Sequence, residues 1–331
     1  MTTVGDIGEF ALIERLSKQV DAARLASPGG AGFRLRLGIG DDAAAWQASA
    51  GIVVQTTDTM VDGVHFTEAT TPWKDVGWKV LVANLSDIAS MGAVPLCGIV
   101  TLGLPPGLDV ASVDALYAGM LEACATYGAL IVGGDVVNAQ RAFVTVALTG
   151  ACAGEPLTRA AARPGDTLAV TGPLGASAAG LRLLLQGKAD TAPASLIEAH
   201  RRPRPRIEAG QSILLAGGRC AMDVSDGLAV DLGKLGKASG VGVRIEAEQV
   251  PRAPVLAALG EPDALELALS GGEDYQLVFA APRQTIEHVL EEVRGAVIIG
   301  EVTADEPGMV RLIDAAGTPM PLTLAGWEHL R

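Results

Sequence analysis

The chain of 331 residues is about twice as long as an average domain, so we expect two domains, each large enough to bury a core. Hydrophobic residues make up 49% and charged residues 19%, a composition typical of globular rather than disordered proteins. The net charge of −13 argues against a nucleic-acid or anionic-membrane partner, because proteins bind phosphate backbones mainly with Lys and Arg. Bound cations suit this chain better than bound polyanions.

The first predicted element is a helix from Asp6 to about Leu25, whose apolar residues recur near helical spacing. Asp6 and Glu9 form an Asp-x-x-Glu start, which is typical of a helix cap. No basic residue precedes them, so this start indicates a helix and not a signal peptide. We therefore expect a cytoplasmic protein.

The next elements alternate between strands and helices. A β-branched strand, GIVVQTTDTMV, runs into a polar loop and a long helix, which Pro72 opens and the turn at Gly92–Pro95 ends. A buried strand, a second helix from about Asp109 to Gly128 and two further strands follow. This alternation predicts an N-terminal α/β domain over residues 1–150.

An uncharged run from Ile88 to Leu108 is long enough to raise the question of a membrane span. Gly and Pro residues interrupt this run at short intervals. We therefore predict a helix end, a turn and a buried strand in this stretch.

The four cysteines form no C-x-x-C pair and lie among apolar residues. This pattern favours reduced thiols in the core of a cytoplasmic protein over disulfides or zinc ligands. The residues are Cys97, Cys124, Cys152 and Cys220.

A Pro-Gly turn in the stretch LTRAAARPGDTLAVTG marks the point where the pattern starts again. A strand, a Gly loop, a helix, the basic stretch HRRPRPRIEAG, another helix and the strand-to-loop segment CAMDVSDG are predicted next. The segments ALELALSGGEDYQLVFAAP and APRQTIEHVLEEVRGAVIIGEV continue this unit. We place a second domain at residues 151–331.

The stretch RLGIGDDAAAW has two incompatible interpretations. Gly38, Gly40 and Ala43 match the loose dinucleotide-binding fingerprint G-x-G-x-x-A, in which backbone N–H groups approach a pyrophosphate. Asp41 and Asp42 would repel that anion, and no strand-helix-strand unit with a ribose-binding acid follows. We interpret the glycines as a tight turn that presents Asp42 to a metal ion.

Further acidic and hydroxyl residues lie mostly where apolar strands give way to Gly-rich loops. Taken singly, each of these residues is explained as the cap of a loop or turn. Together they have apolar flanks and few basic neighbours, and a desolvated carboxylate without a partner costs several kcal/mol. Mg²⁺ is the expected counter-charge, because it prefers carboxylate and water oxygens beside substrate phosphates. The residues are Thr56, Thr57, Asp58, Asp87, Asp135, Asp223, Asp226, Glu273 and Asp274.

Other catalytic systems find little support in the sequence. No G-x-x-x-x-G-K-[ST] phosphate loop occurs, since LLLQGKAD has Ala189 where Ser or Thr is required. Ser225 has no G-x-S-x-G nucleophile elbow around it, and no two histidines form an H-x-x-x-H pair. His65 lies in a Gly-containing loop beside the acidic residues, where it is either a substrate contact or a structural cap.

Eight motifs together resemble the thiamine-monophosphate kinase family, which belongs to the aminoimidazole ribonucleotide synthetase-like superfamily. In chain order they are GIGDDAA, TTDTMVDGVHF, NLSDIASMGAVP, GGD, LTRAAARPGD, DVSDGL, SGGEDYQL and GWEH, and they span nearly the whole chain. The resemblance implies a two-domain α/β (α+β) fold of the aminoimidazole ribonucleotide synthetase type. Its N-terminal α/β domain would bind ATP and Mg²⁺ and form a homodimer through its sheet, and its C-terminal α+β domain would complete the substrate site.

The resemblance also implies a reaction and roles for single residues. The γ-phosphoryl group of ATP would pass directly and in line to thiamine monophosphate, with no covalent intermediate. The implied magnesium ligands are Asp42, Thr56, Thr57, Asp58, Asp87, Asp135, Asp223 and Asp226. The implied nucleotide contacts are Tyr117, Gly134, Asp135, Arg159 and Ser225, and the implied thiamine phosphate contacts are His65, Glu273 and Trp327. The chain departs from the family at Val136, where Thr is common, and at Ala160 and Ala161, where Ser-Gly is usual.

The residue chemistry agrees with this reaction. A phosphate monoester has a second pKa of about 6, so the acceptor is mostly dianionic at neutral pH and needs no general base. The obstacle is repulsion between the two phosphates, which several Mg²⁺ ions and Arg159 would offset.

Two alternatives stay open. One is another superfamily enzyme, such as selenophosphate synthetase, which would have a reactive Cys in an early Gly-rich loop, or the hydrogenase-maturation carbamoyl dehydratase, which would have a C-terminal Cys. The earliest cysteine here is Cys97, and the chain ends in WEHLR. The other alternative is a regulatory protein that binds ATP without turnover.

Overall fold

The fold combines helices and strands in two compact units, as the α/β (α+β) expectation requires. The computed structural model describes residues 2–26, 33–37, 45–48, 51–258 and 263–322. The first unit combines residues 1–88 and 94–154, and the second combines residues 89–93 and 155–331.

The first unit is built around a sheet of four strands. The helices are α1 (Val4–Ala26), α2 (Trp73–Ser90) and α3 (Val110–Tyr127). The strands are β1 (Phe33–Leu37), β2 (Ala45–Ala48), β3 (Ile52–Val61), β4 (Val94–Leu104), β5 (Leu130–Asn138) and β6 (Phe143–Cys152). The sheet order is β3-β6-β4-β5, in which β4 and β5 run parallel and the other neighbours antiparallel.

Strands β1 and β2 pair antiparallel on either side of residues 38–44, which lie outside the described residues. In a dinucleotide-binding unit a helix follows the Gly-rich turn, whereas the next element here is a strand that pairs with the preceding one. The pairing supports the view that GIGDDAA is not a dinucleotide fingerprint.

Helix α1 begins at Val4, so the expected start at Asp6 was wrong by two residues. The N–H of Thr3 donates to Asp6 Oδ2 at 2.8 Å, and the N–H of Asp6 donates to Thr3 Oγ1 at 3.2 Å. This reciprocal capping box makes Thr3 the cap and places Asp6 in the first turn. Gly8 interrupts the helix with a φ of 75°.

The sequence analysis did not predict β1 and β2, whereas the remaining elements of this unit lie where the sequence predicts them. Pro72 precedes α2, and the side chain of Asp109 caps α3 by accepting the Ala111 N–H at 3.1 Å. The uncharged run that starts at Ile88 holds the end of α2, a turn and β4. Within the described ranges, no helix has the length and apolar character needed to cross a membrane.

The four cysteines are free and buried, as expected from their apolar flanks. Burial raises the pKa of Cys97 and of Cys124 to about 12. These thiols therefore stay protonated at neutral pH and behave as small apolar residues.

Helices α2 and α3 approach each other until their main chains are in contact. A Cβ atom on Gly119 of α3 would lie 1.7 Å from the carbonyl oxygen of Lys74 in α2. A Cβ atom on Gly77 of α2 would lie 1.8 Å from the carbonyl oxygen of Leu116 in α3. Glycine is therefore required on both helices.

The second unit has a larger mixed sheet with helices around it. Its helices are α4 (Ala176–Leu185), α5 (Ala194–Arg201), α6 (Ile207–Leu215), α7 (Leu228–Ser239), α8 (Pro254–Ala258), α9 (Ala264–Ser270) and α10 (Arg283–Glu292). Its strands are β7 (Thr167–Val170), β8 (Cys220–Asp223), β9 (Gly242–Glu246), β10 (Leu277–Ala281), β11 (Val297–Thr303), β12 (Val310–Ile313) and β13 (Pro319–Met320). The order is β13-β12-β9-β11-β7-β10-β8, and among these strands β12 and β9 alone pair in parallel.

Strand β10 lies in the centre of this unit, and all five of its residues are buried. Val278 and Ala280 pack into one core cluster, whereas Leu277 and Phe279 pack into another on the opposite face of the sheet. The loops that enter β10 and leave β8 are therefore held on a rigid base.

The sequence analysis predicted one helix before the basic stretch, but the structure has two, α4 and α5. Helix α5 has eight residues and no side-chain hydrogen bond at its N-terminal cap. Its periodic signal is therefore too short to separate it from the preceding helix.

Replacing Gly119 by Ala should lower the free energy of unfolding by about 1–3 kcal/mol, because the new methyl group would overlap the Lys74 carbonyl oxygen. On an exposed helix face the same substitution is stabilising, so the sign of the change tests the close approach. Denaturant unfolding followed by circular dichroism measures this difference.

Gly107→Ala is the matched control, because nothing lies within 4 Å of a Cβ atom at that position. Unchanged stability of Gly119→Ala, or an equal loss in the control, would contradict the main-chain contact between α2 and α3.

Candidate functional site

Asp87 is the one partly exposed residue in an otherwise buried stretch of α2 from Val76 to Ser90. Its Oδ2 atom accepts a hydrogen bond from Thr56 Oγ1 on β3. Asp58 lies two residues further along β3, on the same face of the strand as Thr56. The first unit thus brings three predicted magnesium ligands to one face, and all three offer the oxygen donors that Mg²⁺ prefers.

The side chain of Thr57 does not join this group. It lies on the opposite face of β3 from Thr56, and its hydroxyl donates to the carbonyl oxygen of Val146 at 3.1 Å. A contact between Thr57 and a metal would therefore come from its main chain.

Asp135 is also separated from Asp58 by the sheet register. It pairs with Thr101, which pairs with Thr145, and Thr145 pairs with Thr59 on the face opposite Asp58. The metal role of Asp135 therefore rests on the resemblance, and it stays a prediction.

Gly134 and Tyr117 have structural explanations of their own. A Cβ atom on Gly134 would lie 2.1 Å from the carbonyl oxygen of Val100, so the pairing of β5 with β4 requires glycine there. Tyr117 is 4% exposed within α3, and burial raises its pKa. As nucleotide contacts both residues remain predictions.

His65 lies in the turn that follows β3, and its ring is part of that turn. The Val61 N–H donates to His65 Nδ1 at 3.1 Å, and the His65 N–H donates to the Val61 carbonyl oxygen at 3.0 Å. A nitrogen that accepts carries no proton, so the neutral ring is protonated on Nε2. These contacts support a structural cap, and a substrate contact of His65 would use its Nε2 edge.

In the second unit, three main-chain hydrogen bonds join the DVSDGL and SGGEDYQL motifs. Val224 N–H donates to Gln276 O at 2.7 Å, and Tyr275 N–H donates to Val224 O at 2.9 Å. Glu273 N–H donates to Ser225 O at 2.8 Å. A predicted substrate residue and a predicted nucleotide residue therefore lie one hydrogen bond apart.

Asp231 on α7 shapes the DVSDG loop, and the sequence analysis missed it. This fully buried carboxylate accepts the N–H of Ser225 at 3.1 Å, the N–H of Asp226 at 3.0 Å and the Nζ of Lys234 at 2.8 Å. Desolvation raises the pKa of Asp231, and Lys234 acts against that shift. The one sequence signal for this pair is the i, i+3 spacing of Asp231 and Lys234 on a helix.

Lys234 also corrects an expectation from the sequence. We expected few basic residues beside the predicted metal ligands and a cation as their counter-charge, but Lys234 forms an ion pair with Asp226. Asp226 precedes α7 and lies eight residues before Lys234, so the sequence spacing alone did not indicate this pair.

Glu273 is positioned by a buried histidine. Its Oε2 atom lies 3.4 Å from Nδ1 of His200, whose side chain is 2% exposed, and the Ser177 hydroxyl lies 3.3 Å from the same nitrogen. Glu273 and Tyr275 adopt left-handed φ values of 62° and 50°, which are uncommon for residues with a Cβ atom. Such strained backbone is typical of functional sites, which favours a role for this segment.

Asp274, between these two strained residues, caps helix α4. Its carboxylate accepts the N–H of Gly175 at 2.6 Å and the N–H of Ser177 at 3.2 Å. Desolvation raises the pKa of Asp274 to about 7, although these two N–H groups act to lower it. Asp274 therefore loses its proton near neutral pH in the folded chain.

Two further predicted residues, Asp223 and Arg159, lie in described parts of the second unit. Asp223 is buried at the end of β8, and Arg159 is exposed in the loop before β7. Asp42 and Trp327 lie outside the described residues. Within the described ranges, no group of three or more His, Cys, Asp and Glu side chains is arranged to hold a metal ion.

Two domains of the AIR synthase related protein family match this chain. The N-terminal domain of that family matches residues 40–154, and the C-terminal domain matches residues 163–313. Thiamine-monophosphate kinase from Escherichia coli strain K12 is 38% identical over 97% of this chain and 98% of its own length.

Solved structures are similar over the same extent. Thiamine-monophosphate kinase from Stenotrophomonas maltophilia K279a has a TM-score of 0.79 at 33% identity, covering 90% of this chain and 95% of its own. A structure described as AaThiL complexed with AMPPCP and TMP has a TM-score of 0.77 at 30% identity, covering 100% of this chain and 99% of its own.

The raised pKa of Asp274 predicts a pH dependence of stability. The unfolded chain releases this proton near its ordinary pKa of 3.8, whereas the folded chain keeps it up to about 7. The protonated group therefore favours folding fully below pH 3.8, and this contribution is lost as the pH rises towards 7. Between pH 5 and 7, wild type should lose about 2–3 kcal/mol of stability relative to Asp274→Asn.

Asp274→Asn is suited to this comparison, because its amide oxygen can still accept the Gly175 N–H while its charge no longer changes. Denaturant unfolding of both proteins at pH 5, 6 and 7 measures the difference. A difference that stays constant over this range would show that Asp274 ionises normally.

Proposed function

This chain belongs to the thiamine-monophosphate kinase family, and we propose that it transfers the γ-phosphoryl group of ATP to thiamine monophosphate, giving thiamine diphosphate and ADP. The observation that carries this proposal is the likeness over the whole chain to AaThiL complexed with AMPPCP and TMP. AMPPCP is an analogue of ATP, so that neighbour holds a counterpart of each substrate. The enzyme is a phosphotransferase whose acceptor is itself a phosphate group.

The transfer needs no side chain that removes a proton. The acceptor phosphate is mostly dianionic at neutral pH, so it is already nucleophilic. His65 is the histidine nearest in sequence to Asp58. Its Nδ1 accepts the Val61 N–H, so this nitrogen does not serve as a base. Positioning and charge therefore carry the catalysis.

Mg²⁺ fits the residues of the first unit, because Thr56, Asp58 and Asp87 offer hard oxygen donors on one face. The chemistry that bound Mg²⁺ supplies is positive charge at the phosphates, which offsets their mutual repulsion. The Thr56 hydroxyl holds Asp87 in a fixed direction, so this carboxylate is oriented before any ion arrives. From the resemblance, the further ligands are Asp42, Thr57, Asp135, Asp223 and Asp226.

The nucleotide is held by Ser225 and Arg159 in this proposal, together with Tyr117 and Gly134. Asp231 supports Ser225 by accepting its N–H, so the loop keeps one conformation. Arg159 is exposed and has a planar guanidinium group that matches phosphate oxygens.

The thiamine end of the acceptor carries a cationic ring, and Glu273 is the anion that faces it in this proposal. His200 contacts the Glu273 carboxylate, and the Ser177 hydroxyl contacts the same nitrogen of His200. Trp327 would add an aromatic face for the cation, and His65 would add a polar contact.

We also propose that the enzyme works as a homodimer in the cytoplasm. Residues 1–150 would carry the ATP and Mg²⁺ sites and the dimer contact, and residues 151–331 would complete the substrate site. One face of the four-stranded sheet exposes apolar side chains, with Val53 58% and Ile99 45% exposed. Exposed apolar faces of this kind are typical of subunit contacts.

Sedimentation equilibrium of the purified protein tests the dimer. A mass of 33.8 kDa, that of one chain, would contradict it.

Incubation of the purified protein with ATP, Mg²⁺ and thiamine monophosphate tests the reaction directly. We expect thiamine diphosphate and ADP in equal amounts, separated and measured by chromatography. Binding of ATP without any thiamine diphosphate would favour the alternative of a regulatory ATP-binding protein.

Asp58→Ala should lower kcat by about 100-fold or more, because it removes a proposed ligand of the ion that offsets phosphate charge. Its unfolding curve should stay close to wild type, since Asp58 lies half-exposed at the surface of β3. Asp62→Ala is the matched control, because it removes an acid four residues away that has no proposed role. An active Asp58→Ala enzyme would remove Asp58 from the metal site.

A further inference from the structure

The second unit contains a groove of about 260 Å³ that the proposed reaction does not use. Its charged and amide lining residues are Arg202, Arg204, Arg206, Glu198, Asp274 and Gln276, and we call it the arginine groove. Asp274 is one of the acidic residues for which the sequence suggested Mg²⁺ as the counter-charge, but it caps α4, and no lining residue is a proposed metal, nucleotide or thiamine phosphate ligand. Its volume is that of a small ion or a short polar ligand, below the range of drug-sized pockets.

The three arginines lie in the short connection between α5 and α6, where Arg202 ends one helix and Arg206 precedes the next. Pro203 and Pro205 are buried, whereas Arg202 and Arg206 are half-buried and Arg204 is exposed. All three arginines line the groove, together with Pro203. The rings of Pro203 and Pro205 fix the backbone φ on both sides of Arg204, which limits the conformations of this connection.

A chain of hydrogen bonds that starts at β10 in the core positions Arg206. Its Nε donates to Gln276 Oε1 at 2.8 Å, and the hydroxyl of the buried Thr171 donates to the same oxygen at 2.9 Å. Thr171 Oγ1 in turn accepts the N–H of Leu277 on β10 at 2.9 Å. The guanidinium plane of Arg206 is therefore fixed by the central strand, while its partner in this bond is a neutral amide.

Gly172 makes room for this arrangement. A Cβ atom at this position would lie 2.7 Å from Gln276 Oε1 and 3.3 Å from Arg206 Nη2. The main chain therefore passes close behind the guanidinium group, and a larger residue would push Arg206 or Gln276 away.

The lining of the groove carries three arginines against two carboxylates. Glu198 contacts Arg204 at 3.3 Å, and the Asp274 carboxylate is directed to the N–H groups of Gly175 and Ser177. Each guanidinium has five N–H donors, so an arginine that already bonds to protein groups can offer its other donors to a ligand. The chain as a whole has a net charge of −13, so this lining differs in sign from the average of the sequence.

We propose that the arginine groove binds a phosphate-bearing small molecule, separate from the two substrates of the kinase reaction. Guanidinium groups bind phosphate oxygens in pairs, with both charge and geometry matched. Three such groups around one groove fit a diphosphate better than a single phosphate, because a diphosphate has oxygens on two centres.

The groove lies beside the cluster that positions Glu273. Two of its lining residues, Ala176 and Asp274, are the direct sequence neighbours of Ser177 and Glu273, which belong to that cluster. The proposal does not depend on the kinase reaction, because the groove is defined without Mg²⁺, nucleotide or thiamine phosphate.

Titration calorimetry with inorganic diphosphate tests the proposal on the full chain. The buffer contains EDTA and little salt, so that metal-dependent binding of diphosphate is suppressed and the charge interaction is not screened. Wild type should bind one diphosphate, more tightly than inorganic phosphate, and added salt should weaken both. The double substitution Arg202→Gln with Arg204→Gln should weaken diphosphate binding at least about tenfold, as expected for one lost charge-assisted hydrogen bond.

Two further variants separate the possible sites. Arg283→Gln removes an exposed arginine elsewhere in the second unit and should bind like wild type, which controls for net charge. Arg159→Gln alters the proposed nucleotide site and should also bind like wild type. Because Arg204 is exposed, its substitution should leave the unfolding curve unchanged.

Three outcomes with diphosphate would overturn the proposal, and a citrate titration adds a fourth. They are no diphosphate binding by wild type, equal binding by the double variant, and loss of binding in Arg159→Gln instead. Citrate that binds as tightly as diphosphate would show a general anion site and would also overturn it. Repeating the titration with thiamine diphosphate distinguishes the reaction product from a free diphosphate as the ligand, and kinase turnover of the double variant reports separately on the proposed function.

Discussion

A carboxylate that leaves water must be met by hydrogen-bond donors or by a cation, and this requirement organises the candidate sites of the chain. Asp87 is met by the Thr56 hydroxyl, and Asp231 is met by two main-chain N–H groups and Lys234. Asp274 is met by the first N–H groups of α4. In each case the acid fixes a loop or strand that carries a proposed ligand, so binding chemistry and folding stability depend on the same groups.

The secondary structure was predictable where the determining chemistry is local. Pro72 and the Asp109 cap mark the starts of α2 and α3, and the glycines and prolines after Ile88 separate the end of α2 from β4. The start of α1 was misplaced because Asp6 was taken as the cap, whereas the hydroxyl of Thr3 fills that position. Helix α5 was missed because eight residues show too few periodic repeats.

The site was predictable as a set of motifs but not as an arrangement. Order and spacing of the motifs led to the family, yet strand register decides that Thr57 and Asp135 lie on a different face from Asp58. Asp231 and His200 escaped notice because their roles depend on partners that only the folded chain brings near. Net charge is a sum over all residues, and it gave no sign of the local positive charge in the arginine groove.

The glycine contacts between α2 and α3 have a consequence for how this protein tolerates change. Main-chain carbonyl groups have no rotamers, so an interface made of Gly77, Gly119 and two carbonyl oxygens cannot relax by repacking. The position of α2 relative to α3 is therefore insensitive to which apolar side chains fill the surrounding core. Core composition can change during evolution, or by design, while the helix that carries Asp87 keeps its place against α3.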